Sequence, residues 1–316
     1  MQKTGGEEKM KRTENIPAKM KAVMCCGPND YRLMEVDTPQ IDEDGILCQV
    51  EACGICAGDV KSWRGAAMFW GDGDVLPVWN DAPCVGGHEF IGRVVAIGDR
   101  AAEKWGLEIG DRAIAEQIVP CGHCRYCRDG HYWMCEEAHI HGHQKEVADG
   151  GMAQYIRFGA NDIVHKVNKD IPAREAAMIE PLSCAVHTIE RADIGFNDVV
   201  VIAGMGPIGL CKLQLAKLKN PRMLIAIDGK KMRLDLAKEL GAVFGKKTIR
   251  REKGQWESCG RNHQFYQLYG SRSCVAADSS ADNARGGCVR WSYKQACHYE
   301  NLTKIRSKTI SAAFLG

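Results

Sequence analysis

The sequence predicts an α/β protein in two parts: a β-rich, barrel-like domain followed by a doubly wound parallel-sheet domain. Three observations carry this. Short strand-like runs separated by Gly and Asp turns fill residues 20–165. Near residue 173 the texture changes to strand, helix, strand, helix, the order of a parallel α/β sheet. A glycine fingerprint, Gly204-x-Gly206-x-x-Gly209, falls directly after a strand and at the opening of a helix.

The elements follow in order. Residues 1–19 are polar, mixed in charge and without an apolar run, so they read as a disordered extension and not a secretory signal. Residues 20–24, 46–52 and 90–97 read as strands, the first two separated by turn residues that include Gly27, Pro28, Asn29 and Asp30. Gly110 and Asp111 mark a turn before AIAEQIV. Residues 173–192 are Ala-rich and helical in pattern, with a kink expected at Pro181. Then come a strand over 199–204, a helix from Pro207 to about Lys219, a strand over 223–228 and a helix from Lys230 to Leu240, with Gly241 as its C-terminal cap. The expected domains are 20–173 and 174–316.

Size and composition agree. A chain of 316 residues fits two domains. Hydrophobic residues at 45% and charged residues at 26% are those of a globular protein, and a net charge of +2 gives no argument for nucleic acid or membrane. No run of apolar residues is long enough for a transmembrane helix. Sixteen cysteines in a long chain without a signal point to metal or thiol chemistry in a reducing cytoplasm.

Cys121, Cys124, Cys127 and Cys135 have the spacing C-x2-C-x2-C-x7-C within a lobe at 121–135. Four thiolates close a tetrahedral shell around Zn²⁺ and leave no open position, as a structural site requires. An iron–sulfur cluster also takes four cysteines, but the Cys-Pro ending of the bacterial ferredoxin run is missing.

In the fingerprint, Gly204 permits the tight turn, Gly206 lets backbone amides approach a pyrophosphate, and Gly209 lets the helix pack on the strand. Pro207 and Ile208 complete the loop, and the helix N-terminus faces the phosphates with positive partial charge. Asp228 ends the next strand, 19 residues after Gly209 (228 − 209). A carboxylate there accepts ribose hydroxyls and repels a 2′-phosphate, which favours NAD over NADP; Lys230 and Lys231 weaken that preference.

Two further segments, ACGICAGDVKSW (52–63) and CVGGHEF (84–90), place Cys56 in G-I-C-x-x-D and His88 with Glu89 in G-H-E. With the cysteine lobe and the glycine fingerprint, their order over residues 20–244 resembles the zinc-containing medium-chain dehydrogenases. RYCRDGHYWMC, GGMAQYIRF and IEPLSCAVH are similar to the polyol branch, among them the erythritol and L-threitol dehydrogenases. The resemblance implies a GroES-like catalytic domain, a Rossmann nucleotide domain, NAD, and one catalytic zinc beside the structural one. It implies that Cys56 and His88 bind the catalytic zinc, that Glu89 or Glu180 completes the shell, and that Asp59 orients a ligand. It also implies a homo-oligomer, a dimer or tetramer in an intact family member. The expected reaction is hydride transfer from a secondary alcohol of a polyol to NAD. A threonine or simple alcohol dehydrogenase, or an inactive zinc-stabilised remnant, are the alternatives. Alcohol dehydrogenases of the family carry Ser or Thr two residues after the ligand cysteine; here that position is Gly58, which fits a hydrated polyol pocket. Trp63, Phe69 and Trp70 are expected to wall that pocket, and HIHGH (139–143) to form a loop near the cleft.

After Phe244 the pattern stops. Residues 245–316 hold 13 Lys/Arg and 5 Asp/Glu, a net of +8, against −6 for the remainder (29 − 35). Only 8 Val, Ile or Leu residues occur there, too few for buried parallel strands. No strand–helix alternation is expected in 245–316, which leaves a half sheet with an exposed strand edge. The abrupt change predicts a translated frameshift or an unspliced read-through. A hydrophobic α/β pattern in another reading frame of the coding DNA is the expected finding.

Overall fold

The computed structural model describes residues 11–13, 15–247, 264–266 and 274–277. The chain divides into two compact units, Met1–Glu180 and Pro181–Gly316.

The first unit is β-rich. Its strands are β1 (Lys11–Arg12), β2 (Lys19–Gly27), β3 (Asp30–Asp37), β4 (Ile46–Gly54), β5 (Cys84–Val85), β6 (Glu89–Ile97), β7 (Arg112–Ala115), β8 (Ile118–Val119), β9 (His139–Ile140), β10 (Tyr155–Phe158) and β11 (Val164–Val167). The main sheet runs β10-β4-β6-β7-β11, with β1 added on β6, and all its pairings are antiparallel. Smaller sheets pair β3-β2-β5 and β8-β9. Strand β6 reads EFIGRVVAI and only Arg93 is exposed, so both its faces are covered. That is why its apolar residues run on without alternating. Short helices α1 (Ala57–Trp63), α2 (Ala67–Trp70), α3 (Asp99–Trp105), α4 (Arg125–Arg128) and α5 (Ala173–Ala176) fill the connections.

The segment read as a disordered extension differs from that expectation where it is described. Lys11 and Arg12 pair with Ile97 and Ala96, Thr13 N–H donates to Val95 O at 2.8 Å, and Ile16 packs on the core around Met20, Leu47 and Tyr155. One apolar side chain and three backbone pairings outweigh the segment's polar composition. Residues 1–10 lie outside the described residues.

In the second unit, β12 (Val199–Ala203), β13 (Met223–Asp228) and β14 (Phe244–Lys247) are parallel neighbours. Helices α6 (Ile179–Arg191), α7 (Pro207–Leu218) and α8 (Lys231–Leu240) accompany them, and α8 ends on Gly241 with φ 118°. No kink follows from Pro181. It is the third residue of α6, where its missing N–H would have no intrahelical partner anyway.

Two short strands arise where none was expected. Strand β16 (Cys274–Ala277) pairs antiparallel with β12, and β15 (Gln264–Tyr266) pairs antiparallel with β16. The sheet order is therefore β14-β13-β12-β16-β15, mixed and not parallel throughout, and the second edge of β12 is covered. CVAA and QFY are short β-prone runs in an otherwise polar tail, which gives the edge its partner. The rest of the expectation for 248–316 lies outside the described residues. No helix among them is long and apolar enough to cross a membrane.

Candidate functional site

Strand β4 ends at Gly54, and the chain turns through Cys56 into α1. Asp59, in the first turn of α1, accepts a hydrogen bond from Cys56 N–H at 2.7 Å and so fixes the backbone that carries the thiol. His88 and Glu89 stand at the start of β6, and Glu89 pairs with Gly54. A Cβ on Gly54 would crowd Glu89 Oε2 and Cβ, so the glycine leaves room for this carboxylate where it stands. The register thus brings two distant segments together: one ligand atom each of Cys56, His88 and Glu89 lie within 4.8 Å of one another.

The electrostatics of this group suit a cation. His88, Glu89, Asp59 and Glu180 are all buried. His88 Nδ1 is enclosed without a hydrogen-bond partner, and Asp59 Oδ1 stands 3.5 Å away, beyond a good hydrogen bond. Burial and the charge of Glu180 push Glu89 up to about 7. Burial opposes a charge on His88, but Asp59, Cys56 and the Glu180 carboxylate outweigh it and hold the imidazole well above its ordinary value. Crowded carboxylates, a thiol and an orphaned imidazole nitrogen make a donor set that a divalent zinc would neutralise. Glu180 belongs to the electrostatic neighbourhood, but it is not in the group of mutually close ligand atoms.

A second buried group adjoins the first. Asp59, His88 and His143 also offer atoms within 4.8 Å of one another. His143 Nδ1 lies 2.8 Å from Asn80 Oδ1, and Asn80 Nδ2 donates to Ser62 Oγ at 2.7 Å. Tyr31 OH donates to the same Ser62 oxygen at 3.2 Å. Phe69 stacks on His143 with centroids 5.0 Å apart, and burial with the neighbouring His88 holds His143 down to about 4. HIHGH was read as a loop near the cleft, which is where His143 lies, but with no role for that residue. Asn80, Ser62 and Tyr31 were missed, and no local signal marks Asn80 or Ser62, because a long-range network assembles them. Of the expected pocket aromatics, Phe69 borders the site, Trp63 is largely exposed, and Trp70 donates its indole N–H to Ser62 O at 2.7 Å.

The four cysteines of the lobe converge. Cys121–Cys127 and Cys124–Cys135 Sγ separations are both 3.9 Å. Four thiolates about 2.3 Å from one zinc stand about 3.8 Å apart, whereas a disulfide needs about 2.05 Å. Backbone N–H groups of Cys121 and Cys124 donate to Cys135 and Cys121 sulfurs at 3.3 Å. None of these four cysteines is in a disulfide.

In the second unit Gly204 has φ 92°, and a Cβ on Gly209 would meet Gly204 O at 1.7 Å, so the strand–helix turn closes only around glycine. Gly206 caps α7, with Pro207 and Ile208 as its first residues. Asp228 Oδ2 accepts from Met205 N at 2.6 Å and Oδ1 from Lys230 N at 2.8 Å. A carboxylate has about four acceptor positions, so capacity for hydroxyls remains. Arg233 Nη1 lies 3.9 Å from Asp228 Oδ2, while Lys231 pairs with Asp235. A depression at the loop is lined by Met205, Gly206, Pro207, Leu210, Arg233 and Leu236.

Known proteins share this arrangement. Residues 42–169 match the alcohol dehydrogenase GroES-like domain. The chain is 49% identical over 230 residues to an erythritol/L-threitol dehydrogenase of Mycolicibacterium smegmatis, a match covering 73% of this chain and 63% of that enzyme. It is 33% identical to a sorbitol dehydrogenase of Bombyx mori over 82% of this chain and 69% of the other. A zinc-binding dehydrogenase from Sinorhizobium meliloti 1021, solved bound to NADP, superposes with a TM-score of 0.65 at 28% identity, covering 73% of this chain and 62% of that one. The chain thus spans less than two thirds of the length of the first of these relatives. Zinc and a nicotinamide cofactor are those of the family, and the chain belongs to the zinc-type medium-chain alcohol and polyol dehydrogenases.

Proposed function

We propose that the chain is a zinc- and NAD-dependent polyol dehydrogenase that oxidises a secondary alcohol of an erythritol- or threitol-like substrate. The observation that carries this is the convergence of Cys56, His88 and Glu89, drawn from two segments more than thirty residues apart, within 4.8 Å. We assign Cys56, His88 and Glu89 to the catalytic zinc, with Glu180 as a neighbouring carboxylate. The 4.8 Å grouping supports Glu89 over Glu180 as third ligand. Cys121, Cys124, Cys127 and Cys135 are assigned to a closed structural zinc, which their 3.9 Å sulfur spacing supports.

When bound, the catalytic zinc polarises the alcohol oxygen and the nicotinamide accepts the hydride. The chain's own part is positioning. Asp59 holds the Cys56 backbone, and Gly54 admits Glu89. Gly204, Gly206, Pro207, Ile208 and Gly209 seat the pyrophosphate, and Asp228 takes ribose hydroxyls, which favours NAD. We read 20–173 as the catalytic domain and 174–316 as the nucleotide domain, in a cytoplasmic homo-oligomer acting on a small polyol.

The test measures zinc by elemental analysis and NADH formation with erythritol, threitol, sorbitol, L-threonine and ethanol. Two zinc equivalents and turnover confined to the polyols are expected. Turnover of L-threonine or ethanol alone replaces the substrate, and zinc without NAD binding or turnover makes the chain an inactive remnant. The same assay with NADP checks the cofactor, and light scattering checks the oligomer.

A further inference from the structure

His143 is held in one tautomer by its neighbours. Tyr31 OH and Asn80 Nδ2 both donate to Ser62 Oγ, which leaves the Asn80 carbonyl oxygen facing His143 Nδ1 at 2.8 Å. A carbonyl oxygen only accepts, so Nδ1 carries the proton and Nε2 carries a lone pair. Nε2 makes no hydrogen bond among the described residues. A ring nitrogen of buried His143 lies within 4.8 Å of ligand atoms of Asp59 and His88.

His143 thus borders the assigned metal ligands. The His143 ring stacks on Phe69 and stands 5.9 Å from the His88 ring. At Gly58 a Cβ would lie 3.6 Å from Cys56 Sγ, 3.8 Å from His88 Cε1 and 3.9 Å from Phe69 Cζ. The bare glycine thus leaves open a space bounded by two assigned ligands and by the ring that supports His143. An alcohol with one hydroxyl needs nothing more than the cation there. A polyol brings a neighbouring hydroxyl that must find an acceptor or lose its hydration uncompensated.

We propose that His143 Nε2 accepts a hydrogen bond from a hydroxyl next to the reacting one, making His143 the residue that selects polyhydroxy alcohols. The assignment rests on reading the Cys56–His88–Glu89 group as the place of alcohol oxidation. The His143→Phe variant keeps the ring on Phe69 and removes the acceptor. KM for erythritol is expected to rise about five- to tenfold, as for loss of one hydrogen bond, with kcat and the KM for butan-2-ol nearly unchanged. His143→Gln, which restores an acceptor, is expected to recover part of the loss. Equal losses on both alcohols would make His143 a scaffold residue and overturn the proposal.

A second measurement does not need turnover. In ¹⁵N-histidine spectra of the zinc-loaded full chain, the Nδ1–H tautomer is expected, and its Nε2 resonance moves with erythritol but not with butan-2-ol. An Nε2–H tautomer, or a resonance that erythritol leaves unmoved, overturns the proposal. A chain that oxidises no alcohol yet shows the erythritol shift retires the dehydrogenase reading and leaves His143 Nε2 as a polyol hydroxyl acceptor only.

Discussion

His141 lies between two acceptors, with Nδ1 2.9 Å from Asp149 O and Nε2 2.6 Å from Asp162 Oδ1. Acceptors facing both nitrogens favour the charged form of the fully buried ring, beside the Asp162 carboxylate. Burial opposes this charge, but Asp162 outweighs it and the pKa is raised. The sign follows: the contribution to stability is complete below the unfolded value of about 6.5 and fades as pH rises through the higher folded value. In His141→Gln the buried Asp162 keeps the Gly159 N–H but loses the facing ring, a cost of about 3–5 kcal/mol below pH 6.5. Thermal melts of both proteins from about pH 6 to 9 are expected to show the gap in Tm narrowing with pH. A gap that widens contradicts the ion pair. In sequence HIHGH was legible only as a histidine-rich loop; its two buried histidines differ in role because Asp162 meets one and Asn80 the other.

At the scale of elements, the turn from β12 into α7 is the most constrained. Gly209→Ala places a methyl 1.7 Å from Gly204 O, so the helix must move off the strand. Loss of NADH binding, read as fluorescence enhancement, is expected together with a Tm fall equivalent to about 2 kcal/mol or more. Retained affinity would show that the turn tolerates the shift. The cysteine lobe is a separable element. Cys135→Ser is expected to release one zinc equivalent and open α4 (Arg125–Arg128) to protease, because so short a helix has little else to hold it. These elements were legible in advance because glycine and cysteine spacing encode their geometry locally. Pro181 was not: its effect depends on where the helix begins, and that is set by tertiary contacts.

At the scale of the molecule, two groups of potential metal donors of different kind lie in the first unit, one of four sulfurs and one of mixed donors. The intact protein is expected to hold two zinc equivalents by elemental analysis. Cys56→Ala is expected to hold one and to lose turnover by at least about a thousandfold, since the remaining donors no longer make three. Two equivalents retained in Cys56→Ala would remove Cys56 from the ligand set. The alternation of strands and helices, the four-cysteine lobe and the glycine turn were determined by the sequence itself, since each depends on residues within about a dozen positions of one another. The closeness of Cys56, His88 and Glu89 was legible in the sequence only as a family likeness. Their approach, the tautomer of His143, the pairing of Lys11 and Arg12 with β6 and the covering of β12 by Cys274–Ala277 were decided by the tertiary structure. Each is a contact between segments far apart in the chain, and such contacts depend on register and burial, which no local pattern records.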